Sequence, residues 1–218
     1  GINAARVQVL VGMANGKGGC AKSTTAFHLA HWFQRQGKRV LLVDLDPQQS
    51  SSFWLQASEL EIPFEVLPPD SDVILDKLPE MVEQFDVVVA DGPAGLSDAI
   101  RSILFLSEMA LIPVQPSGAD VRAAADACRL VHQARRIRGG KPEARLFISR
   151  AARGTRLLQE ARSVLSQMEG IPLLETSITQ RQVVADAFGQ AVSVLDATSG
   201  PGLEAAGEFN RLFNEVFS

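Results

Sequence analysis

Cysteine is scarce in this chain: Cys20 and Cys128 are its only two. Two thiols cannot build a disulfide framework or a four-cysteine metal site, which points to a reducing cytoplasm. Histidine is nearly as sparse, and His28, His31 and His132 stand at no metal-ligand spacing with cysteines or carboxylates. Long apolar runs are missing. Stretches such as Val40–Val43 and Val87–Ala90 fall far short of the ~20 residues that cross a bilayer. No charged leader followed by an apolar stretch opens the chain, so no signal peptide is expected. Internal repeats, low-complexity tracts and linkers are absent as well. Basic residues are outnumbered, 21 against 25 acids, for a net charge of −4. At face value that balance argues against a nucleic-acid partner.

What is present is an ordinary globular composition, 46% apolar and 21% charged over 218 residues. That length fits one α/β domain spanning residues 1–218. Short β-branched runs predict strands at Val7–Met13, Arg39–Val43, Phe64–Val66, Phe85–Ala90, Ala110–Val114, Arg145–Ser149 and Leu173–Glu175. Most are apolar throughout, as strands buried on both faces are. Helices are predicted between and after them at Lys22–Gln36, Gln48–Ala57, Ser71–Leu78, Leu96–Leu106, Ala119–Arg136, Thr155–Met168, Gln180–Phe188 and Gly202–Val216. The alternation implies a doubly wound, mostly parallel sheet with helices on both faces and functional loops at the strands' carboxyl ends.

The strongest local signal is Asn15-Gly16-Lys17-Gly18-Gly19-Cys20-Ala21-Lys22-Ser23-Thr24, between an apolar strand and a helix. This is the setting of a P-loop. Glycines turn backbone N–H groups toward one point, and the helix adds the positive end of its dipole. Lys22 supplies charge to the β- and γ-phosphates of a nucleotide, and the Ser23 hydroxyl reaches Mg²⁺. An ordinary glycine-rich turn needs neither residue in register. Ala21 stands where the usual pattern has glycine. If that backbone requires a positive φ, alanine costs on the order of 1 kcal/mol.

Two further strands end in acids. Val43-Asp44-Leu45-Asp46-Pro47-Gln48 places Asp44 and Asp46 on one face at a carboxyl end. Val88-Val89-Ala90-Asp91-Gly92-Pro93 has the form of a Walker B strand, with Asp91 holding Mg²⁺ through water. Each aspartate could instead be a helix N-cap, which is common at this point of α/β folds.

Lys17 gives the loop a second lysine. Lys17-Gly18-Gly19-Cys20-Ala21-Lys22-Ser23 resembles the deviant Walker A box of the ParA/MinD ATPases. The resemblance implies that Lys17 reaches across an ATP-sandwich homodimer to the partner's nucleotide; the alternative is a solvated loop lysine. It implies Mg²⁺-dependent ATP hydrolysis that is weak without a partner, with Lys17, Lys22 and Asp46 catalytic. Asp46 then positions or polarises the attacking water, and Asp44 supports the Mg²⁺ and phosphate region. Ile112-Pro113-Val114-Gln115-Pro116-Ser117 is similar to the family segment that passes the nucleotide toward the dimer contact, which puts Pro113 at the nucleotide. Ser177-Ile178-Thr179-Gln180-Arg181-Gln182-Val183 and Phe53-Trp54 resemble the small partition ATPase subgroup typified by ParF. McdA-type relatives position carboxysomes rather than DNA, and the sequence does not separate the two cargoes. Either implies an adaptor, ParB-like or McdB-like.

MinD, the nearest competitor within the family, binds membrane through a basic amphipathic tail. Here the tail carries Glu204, Glu208 and Glu215 against Arg211, which an anionic bilayer does not attract. Phe209, Leu212, Phe213, Val216 and Phe217 are expected to pack in the core. The net charge also hides a bias. Residues 129–162 hold ten bases and only Glu143 and Glu160 as acids, a balance of +8 that leaves −12 for the rest. Arginines in such number suit phosphate contacts. The resemblance implies non-specific, ATP-dependent DNA binding and nucleoid association, assigned to Arg135, Arg136, Arg138, Lys141, Arg150, Arg153, Arg156 and Arg181. A solvated charged face is the alternative.

Overall fold

The computed structural model describes residues 8–15, 20–95 and 97–218. Among them, seven strands form one sheet in the order β3-β2-β4-β1-β5-β6-β7, every pair parallel. The strands are β1 (Val9–Met13), β2 (Val40–Asp44), β3 (Phe64–Val66), β4 (Val87–Asp91), β5 (Met109–Val114), β6 (Glu143–Ala151) and β7 (Ile178–Thr179). The helices are α1 (Cys20–Arg35), α2 (Ser50–Ala57), α3 (Ser71–Gln84), α4 (Asp98–Leu106), α5 (Gly118–Arg138), α6 (Arg156–Leu165), α7 (Gln182–Ala187) and α8 (Gly200–Phe217).

Continuous apolarity in the strands has a direct cause. Alternate residues feed two separate cores. Leu10, Leu41, Val43, Val88, Ala90, Ile112 and Leu146 pack against α3, α4, α5 and α6. Val11, Met13, Val40, Leu42, Val87, Val89, Leu111 and Phe147 pack against α1, α2 and α8. By the same alternation Asp44 and Asp91 point to the α1 side. They are register partners on neighbouring strands. Gly12 faces the other way, where an added Cβ would lie 2.7 Å from the Ser107 hydroxyl, so only glycine lets α4 approach.

The largest departures from the expected bounds are at α3 and β7, and α6 ends at Leu165 and not at Met168. The third predicted helix was bounded at Leu78, but α3 runs through Pro79 to Gln84. Packing of Met81, Val82 and Phe85 on the core outweighs the hydrogen bond lost at proline. The seventh strand lies at Ile178–Thr179, not at 173–175. Leu173 makes a lone bridge to Leu146. The ladder then breaks because the Glu215 carboxylate of α8, not β6, accepts the amides of Glu175 and Thr176 at 2.7 and 3.0 Å.

The predicted burial of the tail's apolar stripe holds: Phe209, Leu212 and Phe213 are buried. Two of its acids serve the fold. Glu208 is 3% exposed and accepts the Thr179 amide at 2.7 Å and the Arg181 guanidinium at 2.8 Å.

Candidate nucleotide site

β1 is central and hands the chain to α1 at the sheet's carboxyl edge, where chain direction across the sheet changes and ligands bind in α/β folds. Gly16, Lys17, Gly18 and Gly19 lie outside the described residues, as does the Cys20 side chain. Ala21 falls inside α1, in right-handed helical conformation, so the strain considered for it does not arise. Upstream, the Asn15 side chain donates to the Pro113 carbonyl at 2.7 Å. Pro113 is buried in β5, and through this bond it steadies the entrance to the loop from the neighbouring strand.

Lys22 is 2% exposed, and its ammonium donates to the Pro93 carbonyl at 3.2 Å. Burial lowers its pKa, opposed by the charges of Asp91 and Asp46. Asp91 is fully buried at the end of β4. Its Oδ2 accepts hydroxyl hydrogen bonds from Ser23 at 2.8 Å and Ser51 at 2.7 Å. Its Oδ1 has no partner among the described residues. Burial, reinforced by the charge of Asp44, pushes Asp91 up to about 7, against the hydrogen bonds from Ser51 and Ser23 and the charge of Lys22. An orphaned carboxylate oxygen beside a serine hydroxyl and a buried lysine costs free energy as it stands. It is an oxygen donor set of the kind Mg²⁺ takes in nucleotide sites. The residues therefore fit the cation: Ser23 would ligate it and Asp91 would hold it from Oδ1.

Asp44 serves the backbone. Its Oδ1 accepts the Asp46 amide at 3.1 Å and its Oδ2 the Ser52 amide at 3.0 Å. The latter satisfies a first-turn donor of α2. Asp44 therefore shapes the turn after β2. Asp46 lies in that turn, half-buried, and its own carboxylate accepts the Gln48 amide at 3.0 Å. Gln49 takes a left-handed conformation, φ 55°, so α2 starts at Ser50 and not at the expected Gln48. None of the three acids is an N-cap residue: Gln49 holds that place for α2 and Ser97 for α4.

Beside the first turn of α1, a cleft of about 320 Å³ is lined by Thr24, Ser149, Arg150, Thr179, Gln180 and Trp54, among others. Its lining is mainly apolar and it adjoins the Lys22–Asp91 group, the combination a nucleoside needs. Sequence reasoning missed Ser51, Ser52, Ser149 and Gln180. Serines following D-x-D-P-Q carry no signal until the fold turns one of them onto Asp91.

The histidines hold α1 in place. His28 accepts the Val194 amide through Nε2, pairs its Nδ1 with the Thr24 carbonyl and stacks on Phe209. Burial lowers its pKa to about 4. His31 meets the Ser193 hydroxyl.

A family model described as the CobQ/CobB/MinD/ParA nucleotide binding domain matches residues 11–194. The chain belongs to this family. It is a ParA/MinD-type, ATP-binding ATPase. Maintenance of carboxysome distribution protein A of Halothiobacillus neapolitanus is 31% identical over 94% of both chains. The chromosome-partitioning ATPase Soj of Thermus thermophilus is 29% identical over 95% of both. In three dimensions the fold matches an ATP complex of a Cyanothece McdA variant with a TM-score of 0.76 at 16% identity, covering 96% of each chain. The MinD cell division ATPase of Pyrococcus furiosus gives 0.76 at 20%, covering 96% of this chain and 98% of that one.

The arginine-rich stretch of this ParA/MinD-family chain does not form one surface. β6 runs for nine residues, roughly 30 Å, through its middle. Arg135, Arg136, Arg138 and Lys141 lie at its amino end, and Arg150, Arg153 and Arg156 at its carboxyl end. Several are committed internally. Arg135 donates to the carbonyls of Pro142 and Gly170, and Arg138 to those of Leu104 and Ser107. Lys141 pairs with Glu108 at 3.4 Å. Arg181 is held by Glu204 and Glu208, and Arg150 lines the cleft beside α1. Arg136, Arg153 and Arg156 are the exposed arginines of the set, Arg153 lying 3.9 Å from Glu208 and Arg156 2.7 Å from Glu160. Counting charge along the sequence could not reveal this division, because the partners come from distant segments.

Proposed function

We propose that the chain is a positioning ATPase, one domain over 1–218, that dimerises around two Mg·ATP, binds DNA without sequence preference in that state and is stimulated by a cargo adaptor. The observation that carries this reading is the buried Ser23–Asp91–Ser51 group beside Lys22 in a chain similar along nearly its whole length to carboxysome-distribution and chromosome-partitioning ATPases. Cytoplasmic, nucleoid-bound action follows from it, with plasmid, chromosome or carboxysome as cargo and a ParB-like or McdB-like adaptor.

In the chemistry, Lys22 leaves the Pro93 carbonyl for the phosphates, and the α1 amides neutralise further charge. Mg²⁺ would offset the rest, held by Ser23 and Asp91. Asp46 orients the attacking water, and Lys17 of a second copy completes the site. Phosphoryl transfer then needs placement and charge neutralisation, which these groups supply.

DNA contact is assigned to Arg136, Arg153 and Arg156. A MinD-like membrane cycle is the second reading, favoured by the fold match to MinD. Burial of the α8 apolar stripe speaks against it. DNA mobility shift and liposome pelleting, each with ATP and with ADP, separate the two. Liposome binding with ATP and none to DNA would reverse the choice. Turnover and dimerisation that survive Lys17→Ala would refute the cross-subunit role.

A further inference from the structure

We propose that Ser51 is a positioning residue that couples metal occupancy at Asp91 to the placement of Asp46. The inference rests on the Mg·nucleotide reading of the site. Ser51 is fully buried in the first turn of α2, and its hydroxyl donates to the same Asp91 oxygen that Ser23 uses. A metal held from Oδ1 would fix the carboxylate plane, and Ser51 is the α2 side chain that reads that plane.

From Ser51 the path to Asp46 is short. The next residue, Ser52, gives its amide to Asp44 Oδ2, and Asp44 Oδ1 holds the Asp46 amide. Ser23, Asp91 and Ser51 on one side and Ser52, Asp44 and Asp46 on the other thus form two hydrogen-bonded runs, joined by the Ser51–Ser52 peptide bond, from the phosphate helix to the residue assigned to the attacking water. The backbone bond from the Leu45 amide to the Asp91 carbonyl also joins the strands. It extends the sheet ladder and does not sense the carboxylate. Alanine at 51 would fit the space but remove the side-chain link, leaving the turn indifferent to the metal.

Trp54 reports on this link. It lies three residues further along α2, stacked on Phe27 of α1 with ring centroids 4.0 Å apart. Trp32 is the other tryptophan, so Trp32→Phe leaves Trp54 as the single emitter. In that background, Mg²⁺ added to the ADP-bound protein is expected to change Trp54 emission. Ser51→Ala should keep ADP affinity, lose most of the emission change, and lower kcat about tenfold with KM little altered. A full Trp54 response and unchanged kcat in Ser51→Ala would overturn the coupling alone. If ADP affinity of the unsubstituted protein ignores Mg²⁺, the metal reading beneath it falls. A measurement that needs no variant is amide exchange at Asp46 and Ser52, which Mg·ADP should slow more than ADP alone; equal exchange contradicts the proposal.

Discussion

The ammonium of Lys22 lies 3.2 Å from the carbonyl of Pro93, on the loop that follows Asp91. The lysine assigned to phosphate therefore also holds the loop after β4. Lys22→Met should weaken ATP binding by about 10- to 100-fold, the worth of a charge-assisted buried contact. Isothermal titration checks this, and tight binding by the variant would refute the loop assignment.

Asp91 gives a pH signature. Burial pushes its pKa up to about 7, above the ordinary carboxylate value of 3.8. Between those values the native state binds more protons than the unfolded state, so this group's contribution to stability falls as pH rises through the window. Asp91→Asn removes the effect. The difference in melting temperature, variant minus wild type, should grow from pH 4 to pH 7 in metal-free buffer. Mg²⁺ needs the ionised carboxylate, so Mg²⁺-dependent nucleotide affinity of the wild type should drop below pH 7. Parallel melting profiles would contradict the shifted aspartate.

Asp46→Ala removes the group assigned to the attacking water and keeps the phosphate contacts. ATP should stay unhydrolysed and the dimer accumulate, visible as a doubled mass by light scattering with ATP. A monomer under those conditions would count against the sandwich.

For DNA, the exposed arginines should respond separately from the structural ones. Arg136→Glu, and Arg153→Glu with Arg156→Glu, should each flatten the salt dependence of binding, by up to ~0.9 in log–log slope per lost phosphate contact. The melting temperature should stay near wild type for Arg136→Glu, whereas Arg153→Glu with Arg156→Glu also loses the ion pairs to Glu208 and Glu160 and should melt somewhat lower. Slopes unchanged in both would place the DNA surface elsewhere.

Glu208 tests the clamp on β7. It holds both the Thr179 amide and Arg181. Glu208→Ala leaves the Thr179 amide without its acceptor and Arg181 with Glu204 alone, and should cost about 2 kcal/mol. Thermal melting measures it; a change below about 0.5 kcal/mol would show the clamp to be dispensable.

Much of this was legible beforehand. Strands feeding two cores must be apolar at every position, so β1, β2, β4 and β5 declared themselves. Asp91 at the end of Val88-Val89-Ala90 had one place to go once the sheet was parallel. What escaped depended on distant partners. Glu215 displaced the seventh strand from 40 residues away in sequence. Asp44 is also the acceptor for the amides of Asp46 and Ser52, a role that only the folded turn reveals. The +8 stretch divided because β6 runs through it, and because the Leu104 and Ser107 carbonyls took Arg138 and the Pro142 and Gly170 carbonyls took Arg135, while beyond it Glu204 and Glu208 took Arg181.

The central claim, that nucleotide state switches this chain onto DNA, is tested most directly by fluorescence anisotropy of a random-sequence duplex titrated with the full chain in Mg²⁺ with ATP or with ADP. The account predicts binding with ATP that is lost with ADP and falls with salt. Equal binding in both states, or none in either, would contradict it.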